Sequence, residues 1–119
     1  MGHVRVKIRI ANPTRRQEFV DVDDALVDTG ATWTTVTRDI ADRLRLQVVD
    51  QVQADTAAGE VTVDHSFALI QYDGKQSISD VLVNDTLREV LVGVVTLEGL
   101  RLAVDPHSGR LVDTKLLLM

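Results

Sequence analysis

Ala25-Leu26-Val27-Asp28-Thr29-Gly30-Ala31 decides the reading of this chain. Three apolar residues run into Asp-Thr-Gly, and a small residue follows. An apolar strand that ends in a tight turn presents the Asp28 carboxylate at the strand end, where a substrate could reach it. Taken alone, Asp-Thr-Gly is an ordinary turn sequence, because Asp and Gly both favour turns. Its context gives it more weight. Downstream, Glu89-Val90-Leu91-Val92-Gly93-Val94-Val95-Thr96-Leu97 repeats the device of an apolar run into a Gly, although such a run by itself reads simply as a buried strand.

The rest of the sequence predicts many short strands. Val4, Val6, Ile8 and Ile10 alternate with Arg5, Lys7 and Arg9, the period of a half-buried strand. Asn12-Pro13-Thr14 breaks it, and a second strand is expected from about Glu18 to Val27. Asp21, Asp23 and Asp24 on that strand raise the question of a cation site. Calcium loops spread their ligands over a longer loop with a Gly turn, so a solvated acidic edge is the better reading. Thr37 is placed as an N-cap, with Asp39 in the first turn and Ile40, Ala41 and Leu44 on one face, which predicts a short helix over 38–44.

Residues 47–54 return to strand, Ala57-Ala58-Gly59 forms a small-residue tip, and the run through Val61, Val63 and Phe67 to Tyr72 completes a hairpin. Asp73-Gly74 is the strongest hairpin signal in the chain, leading into a strand over Gln76–Val83 closed by Asn84-Asp85. A helical turn is expected over Leu97–Leu100, and a last hairpin from Leu102–Val104 through Pro106-His107-Ser108-Gly109 to Leu111–Leu118. Short strands at this spacing mean an all-β barrel or sandwich. There is no repeat or linker, and the length suits one domain over residues 1–119.

Composition narrows the function. The net charge of −5 argues against nucleic acid, which needs a basic patch. No Cys is present, which excludes disulfide frameworks and thiolate metal sites. His3, His65 and His107 lack metal-ligand spacing, the serines have no nucleophile-elbow context, and no cofactor or metal is expected. No run approaches a signal peptide or membrane span, so the expectation is a cytoplasmic protein with no membrane partner. The four aromatics are Phe19, Trp33, Phe67 and Tyr72, so the core must be Val, Leu, Ile and Ala.

The two apolar-to-Gly segments, in this order and with a hairpin between them, resemble the retropepsin-like aspartic proteases, the single-lobe family of retroviral proteases and their cellular and prokaryotic relatives. The resemblance runs over about residues 4–117. It implies a closed, acid-protease-like β-barrel with one or two short helices and a flap hairpin. It also implies a homodimeric aspartic endopeptidase, since a water-activating dyad needs two Asp carboxylates and this chain has one complete Asp-Thr-Gly. Asp55-Thr56-Ala57 and Asp113-Thr114-Lys115 both lack the Gly and make no second lobe.

The resemblance assigns Asp28 half the dyad. Thr29 becomes the residue that bonds across the two-fold axis, and Gly30 the tight turn whose amide approaches the carboxylates. Ala31, Thr32 and Trp33 match positions that contact a peptide or protein substrate, although Trp33 is equally well placed to pack under the barrel rim. Ala57, Ala58 and Gly59 form the flap tip, and Leu91, Val92 and Gly93 support the loop from beneath. Two departures stand out. Val94 replaces the Arg that usually follows the supporting Gly in retroviral members, with Arg101 a possible substitute, and the flap tip has a single Gly. The helix over 38–44 is more like cellular and prokaryotic members. Two rivals remain: the same dimeric fold used for peptide binding or assembly without efficient cleavage, and an unrelated β-barrel binding module with a chance turn.

Overall fold

The computed structural model describes residues 4–116. The element order is β1 (Val4–Asn12), β2 (Arg15–Val27), β3 (Thr34–Thr37), α1 (Arg38–Leu44), β4 (Asp50–Thr56), β5 (Gly59–Tyr72), β6 (Lys75–Asn84), β7 (Leu91–Val92), α2 (Val94–Gly99), β8 (Leu102–Asp105) and β9 (Arg110–Asp113). The fold is all-β with two short helices. Seven strands form one sheet in the order β1-β2-β7-β3-β6-β5-β4, and β8 pairs with β9 separately. The sheet curls until β1 also meets β5, over the pairs Arg9↔Gln71, Ile10↔Ile70 and Ala11↔Leu69. Contact between β1 and β5 is limited to those three pairs, so the closed barrel expected from the resemblance is not clearly completed. Strand β4 hangs on β5 only, from Asp50↔His65 to Thr56↔Gly59, so the β4–β5 hairpin projects beyond the curled sheet.

The interior is aliphatic, as the scarcity of aromatics required. Ile8, Ile10, Ala25, Val36, Ile70, Val81, Val83, Val92 and Leu100 are all nearly or fully buried within one cluster. Burying each Val, Leu or Ile side chain is worth roughly 1.5–3 kcal/mol. Helix α1 begins as the sequence predicts. Thr37 is its N-cap, with Oγ accepting the Ile40 amide, and Ile40, Ala41 and Leu44 face the core. Its C-terminus is closed from a distance: the Asn12 side-chain amide donates to the carbonyls of Leu44 and Arg45 at 3.1 and 2.9 Å. The Asn12 Oδ1 accepts from the backbone and hydroxyl of Thr14 and shapes the β1–β2 turn.

That turn is tighter than expected, and β2 starts at Arg15 rather than near Glu18. Val6 pairs with Ala25 but Ile8 with Val22, so β2 carries an extra residue in a bulge at Asp23-Asp24. The three acids face the three bases of β1: Asp21 to Arg9 at 3.1 Å, Asp23 to Lys7 at 3.8 Å and Asp24 to Arg5 at 3.5 Å. All are exposed ion pairs of small energetic value. They account for the acidic stretch as one rung of a cross-strand charge ladder. Among the described residues no cluster of His, Cys, Asp and Glu could hold a metal ion.

At Asp73-Gly74 both residues have positive φ, 47° and 82°, the geometry of a two-residue hairpin turn whose twist matches its strands. Three boundaries move. Strand β4 begins at Asp50, not residue 47, and α2 begins at Val94, a turn earlier than Leu97. Strand β9 stops at Asp113, short of the run to Leu118. Leu116 is exposed, while Leu117, Leu118 and His3 lie outside the described residues. No described helix is long and apolar enough to cross a membrane.

Candidate active site

Asp28 stands at the end of β2, where the strand leaves the sheet. The approach is held on one side by β7, which lies between β2 and β3. Leu26 and Val27 pair in parallel with Leu91 and Val92, and Leu91 also faces Thr35 across the antiparallel β3–β7 contact. The Leu26 and Asp28 amides donate to the carbonyls of Val90 and Val92 at 2.9 and 3.0 Å. Asp28 Oδ1 then accepts the Gly30 amide at 2.9 Å, and Ala31 N–H closes the turn on the Asp28 carbonyl at 3.1 Å. This local bond fixes the carboxylate relative to its own backbone. Gly30 has no positive φ. An added Cβ would sit 3.3 Å from Asp28 Oδ1, a tight contact that would press the carboxylate by a few tenths of an ångström.

The loop beyond Asp28 rests on the start of α2. The Ala31 and Thr32 carbonyls accept the amides of Val94 and Val95 at 2.9 and 3.0 Å. Gly93 lies so close beneath that an added Cβ would fall 2.6 Å from the Trp33 carbonyl carbon and 2.7 Å from its oxygen, inside any permitted contact. Thr34, fully buried, accepts the Gly93 amide and shares a 2.6 Å hydrogen bond with the equally buried Thr96. Leu91, Val92 and Gly93 therefore underlie the Asp28 loop. Neither Thr34 nor Thr96 stood out in the sequence, since a buried Thr pair has no periodic or motif signature.

A groove of about 1170 Å³ opens in front of this loop. Asp28, Gly30, Ala31, Thr32 and Trp33 line one side, and the β4–β5 hairpin with Ala57 and Ala58 lines the other. Thr29 and Gly59 are exposed and are not among its lining residues. Val52, Val61, Val63, Leu82 and Leu91 make much of its wall apolar. The hairpin tip is a two-residue loop, Ala57-Ala58, braced by Thr56, whose hydroxyl donates to the Gly59 carbonyl and accepts the Ala58 amide. The Asp55-Thr56 decoy is thus part of this tip. The Asp113-Thr114 decoy is remote, with Asp113 paired to Lys75 at 2.6 Å. Arg101 does not reach the Asp28 loop: its guanidinium donates to the Gly99 carbonyl.

Trp33 is half-buried and has a partner that the sequence did not suggest. Its indole stacks on the His65 imidazole, with ring centroids 4.8 Å apart and planes inclined by 21°. His65 in turn lies 2.7 Å from Asp50 through Nδ1 and 2.7 Å from Asp80 through Nε2. The bond to Asp80 chiefly holds the imidazolium, raising its pKa above the usual histidine value against the opposing effect of burial, with Asp50 assisting. Next to it, at the C-terminal end of β6, Arg38 spans Asp64 at 2.9 Å and Asp85 at 2.7 Å. Asp64 is held below the usual carboxylate range by the Gln51 amide and by Arg38.

A search of the curated proteins finds no match to the chain. A family model described as "gag-polyprotein putative aspartyl protease" matches residues 22–99, from within β2 through the end of α2. That span contains the Asp28 turn, the β4–β5 hairpin and the supporting β7–α2 segment. With more than half of its 119 residues inside the match, the chain belongs to the retropepsin-like family of gag-polyprotein aspartyl proteases.

Proposed function

We propose that this protein is a homodimeric aspartic endopeptidase in which each subunit supplies one Asp28. The observation that carries this reading is that Asp28 lines a groove together with the β4–β5 hairpin, its carboxylate held by the Gly30 amide. One carboxylate cannot act as both base and acid in the same step. A second Asp28, brought in by the two-fold related copy, completes the pair. One carboxylate takes a proton from water while the other, protonated, polarises the scissile carbonyl. Two carboxylates at close quarters cannot both ionise cheaply, so the pair keeps one proton over a range of pH, and its two apparent values belong to the pair. The aspartic-protease dyad is the general example of this sharing.

Thr29, exposed at the turn, is the residue assigned to bonding across the two-fold axis. An extended peptide lies along the groove with Ala31, Thr32 and Trp33 on one side, and Ala57, Ala58 and Gly59 close over it to exclude water. Small residues at 30 and 31 leave room for its backbone. No cofactor or metal enters the reaction, the single domain spans residues 1–119, and the site of action is cytoplasmic.

The test is cleavage of a denatured protein mixture, with and without pepstatin. The expected result is pepstatin-sensitive hydrolysis with a bell-shaped pH dependence and an optimum below neutral. A rate that keeps rising through about pH 8, or that needs added metal, overturns the carboxylate mechanism. Tight peptide binding without hydrolysis would instead identify a binding module on the same fold.

A further inference from the structure

His65 is held by a carboxylate at each ring nitrogen and a stacked indole, and nothing in the proposed hydrolysis uses it. Its position follows from the strand register. His65 on β5 pairs with Asp50 on β4 and with Leu82 on β6. Residues two apart on a strand share a face, so Asp80 joins Leu82 on the side of the sheet that carries His65. One ring nitrogen meets each carboxylate at 2.7 Å. Neither carboxylate has a proton to give when ionised, so both nitrogens must donate, and only the imidazolium donates from both. The His65 side chain is 11% exposed. Asp64, its neighbour on β5, is engaged by Arg38 and Gln51 instead. The aromatic rings against it are uncharged: Trp33 at 4.8 Å and Phe67 at 5.5 Å between centroids. This cation is therefore fixed flat against the indole that walls the groove beside Ala31 and Thr32.

We infer that His65, clamped between Asp50 and Asp80, is a positioning residue that holds Trp33 as a wall of the substrate groove and makes that wall depend on pH. The inference rests on the groove's being the peptide site. Face contact between a cation and an indole is attractive. Loss of the proton removes that attraction and one of the two hydrogen bonds to carboxylate, and it frees the Trp33 ring. Substrate contacts made by Trp33 then weaken, while Asp28 and its turn are untouched.

The experiment uses the fact that Trp33 is the sole tryptophan. An imidazolium stacked on indole quenches its emission more strongly than neutral imidazole. Trp33 fluorescence, titrated from about pH 5 to about pH 9, is expected to rise in one step with a midpoint above the ordinary histidine value. His65→Gln, which keeps an amide donor for the carboxylates, is expected to abolish the step. Asp80→Asn is expected to lower its midpoint, and His107→Gln to leave it unchanged. In steady-state cleavage, His65→Gln is expected to raise KM by about three- to tenfold with kcat nearly unchanged, and to add nothing in a Trp33→Ala background. A flat wild-type titration, a step that survives in His65→Gln, or additive effects of the two substitutions on KM overturns the inference. The fluorescence titration needs no turnover. A chain that cleaves nothing contradicts the protease reading, while the coupling of His65 to Trp33 stands or falls on the titration.

Discussion

The hydroxyls of Thr34 and Thr96 lie 2.6 Å apart, both fully buried, and Thr34 also accepts the Gly93 amide at 3.0 Å. One side chain on β3 thereby ties together the first turn of α2 and the Gly93 corner, the two pieces on which the Asp28 loop rests. Thr34→Val keeps the shape and removes the hydroxyl, leaving a buried amide and a buried hydroxyl without their partner. The expected loss is about 1–3 kcal/mol of unfolding free energy, read by urea denaturation. Thr34→Ser should recover most of it. A Thr34→Val protein within about 0.5 kcal/mol of wild type would show that the pair is not structural.

Gly93→Ala attacks the same junction by volume. The added methyl meets the backbone of Trp33 at 2.6 Å and of Thr32 at 2.9 Å, and backbone cannot swing aside as a side chain can. The loop that carries Asp28 must shift. We expect destabilisation of about 1–3 kcal/mol or more, together with a changed Trp33 near-ultraviolet dichroism band. An unchanged band and an unfolding midpoint matching wild type would mean that the loop is not seated on Gly93.

These two junctions show where the sequence was readable. Local signals carried through: Thr37 caps α1, Asp73-Gly74 turns β5 into β6, and Ala57-Ala58-Gly59 turns β4 into β5. Each depends on residues within a few positions of one another. The Leu91-Val92-Gly93 run was legible because an apolar strand into a Gly is itself a local pattern. What remained hidden is long-range. Asn12 reads as a strand breaker, but its second task is to close α1 more than thirty residues away. The bulge at Asp23-Asp24 is visible only through its partner strand. His65 has no metal-ligand spacing in the sequence, and only the register of β4, β5 and β6 brings Asp50 and Asp80 to its ring.

Asp28→Asn tests the assignment of the nucleophile-activating group. Asn has an oxygen in place of Asp28 Oδ1 and can still accept the Gly30 amide, so the turn and the fold should survive. Groups that act as one catalytic unit lose most of their effect when either member is removed. Turnover should fall by several orders of magnitude, with circular dichroism and unfolding midpoint close to wild type. A purified variant that kept more than about a tenth of the activity would rule out Asp28 as half of a dyad.

If Asp28 is half of a carboxylate dyad, as proposed, the other half must come from a second copy of the chain. Leu116 is 66% exposed, and the apolar tail that begins there would gain by pairing with the corresponding segment of a second copy. The protein should sediment as a dimer at micromolar concentration, and truncation before Leu116 should weaken both association and activity. Monomer alone at tens of micromolar, with hydrolysis intact, would contradict the two-subunit site.

The stability of the fold should vary with pH in a way set by His65. Its folded-state pKa is raised above the ordinary value of 6.5, through Asp80 first and Asp50 next, with burial opposing. A raised pKa means that the folded state holds the proton more tightly than the unfolded chain. The resulting stabilisation is complete below the unfolded value and disappears as pH rises through the folded one. Asp64 has the opposite sign. Its pKa lies below the ordinary 3.8 because Gln51 and Arg38 favour the ionised form, so its contribution is present above that value and is lost as pH falls through the lowered one. Comparing the melting temperatures of wild type and His65→Gln isolates the histidine. The gap between them should be widest below about pH 6.5 and should narrow as pH climbs above it. A gap that stays constant across that range, or widens toward alkaline pH, would mean that His65 is not held as a cation between Asp50 and Asp80.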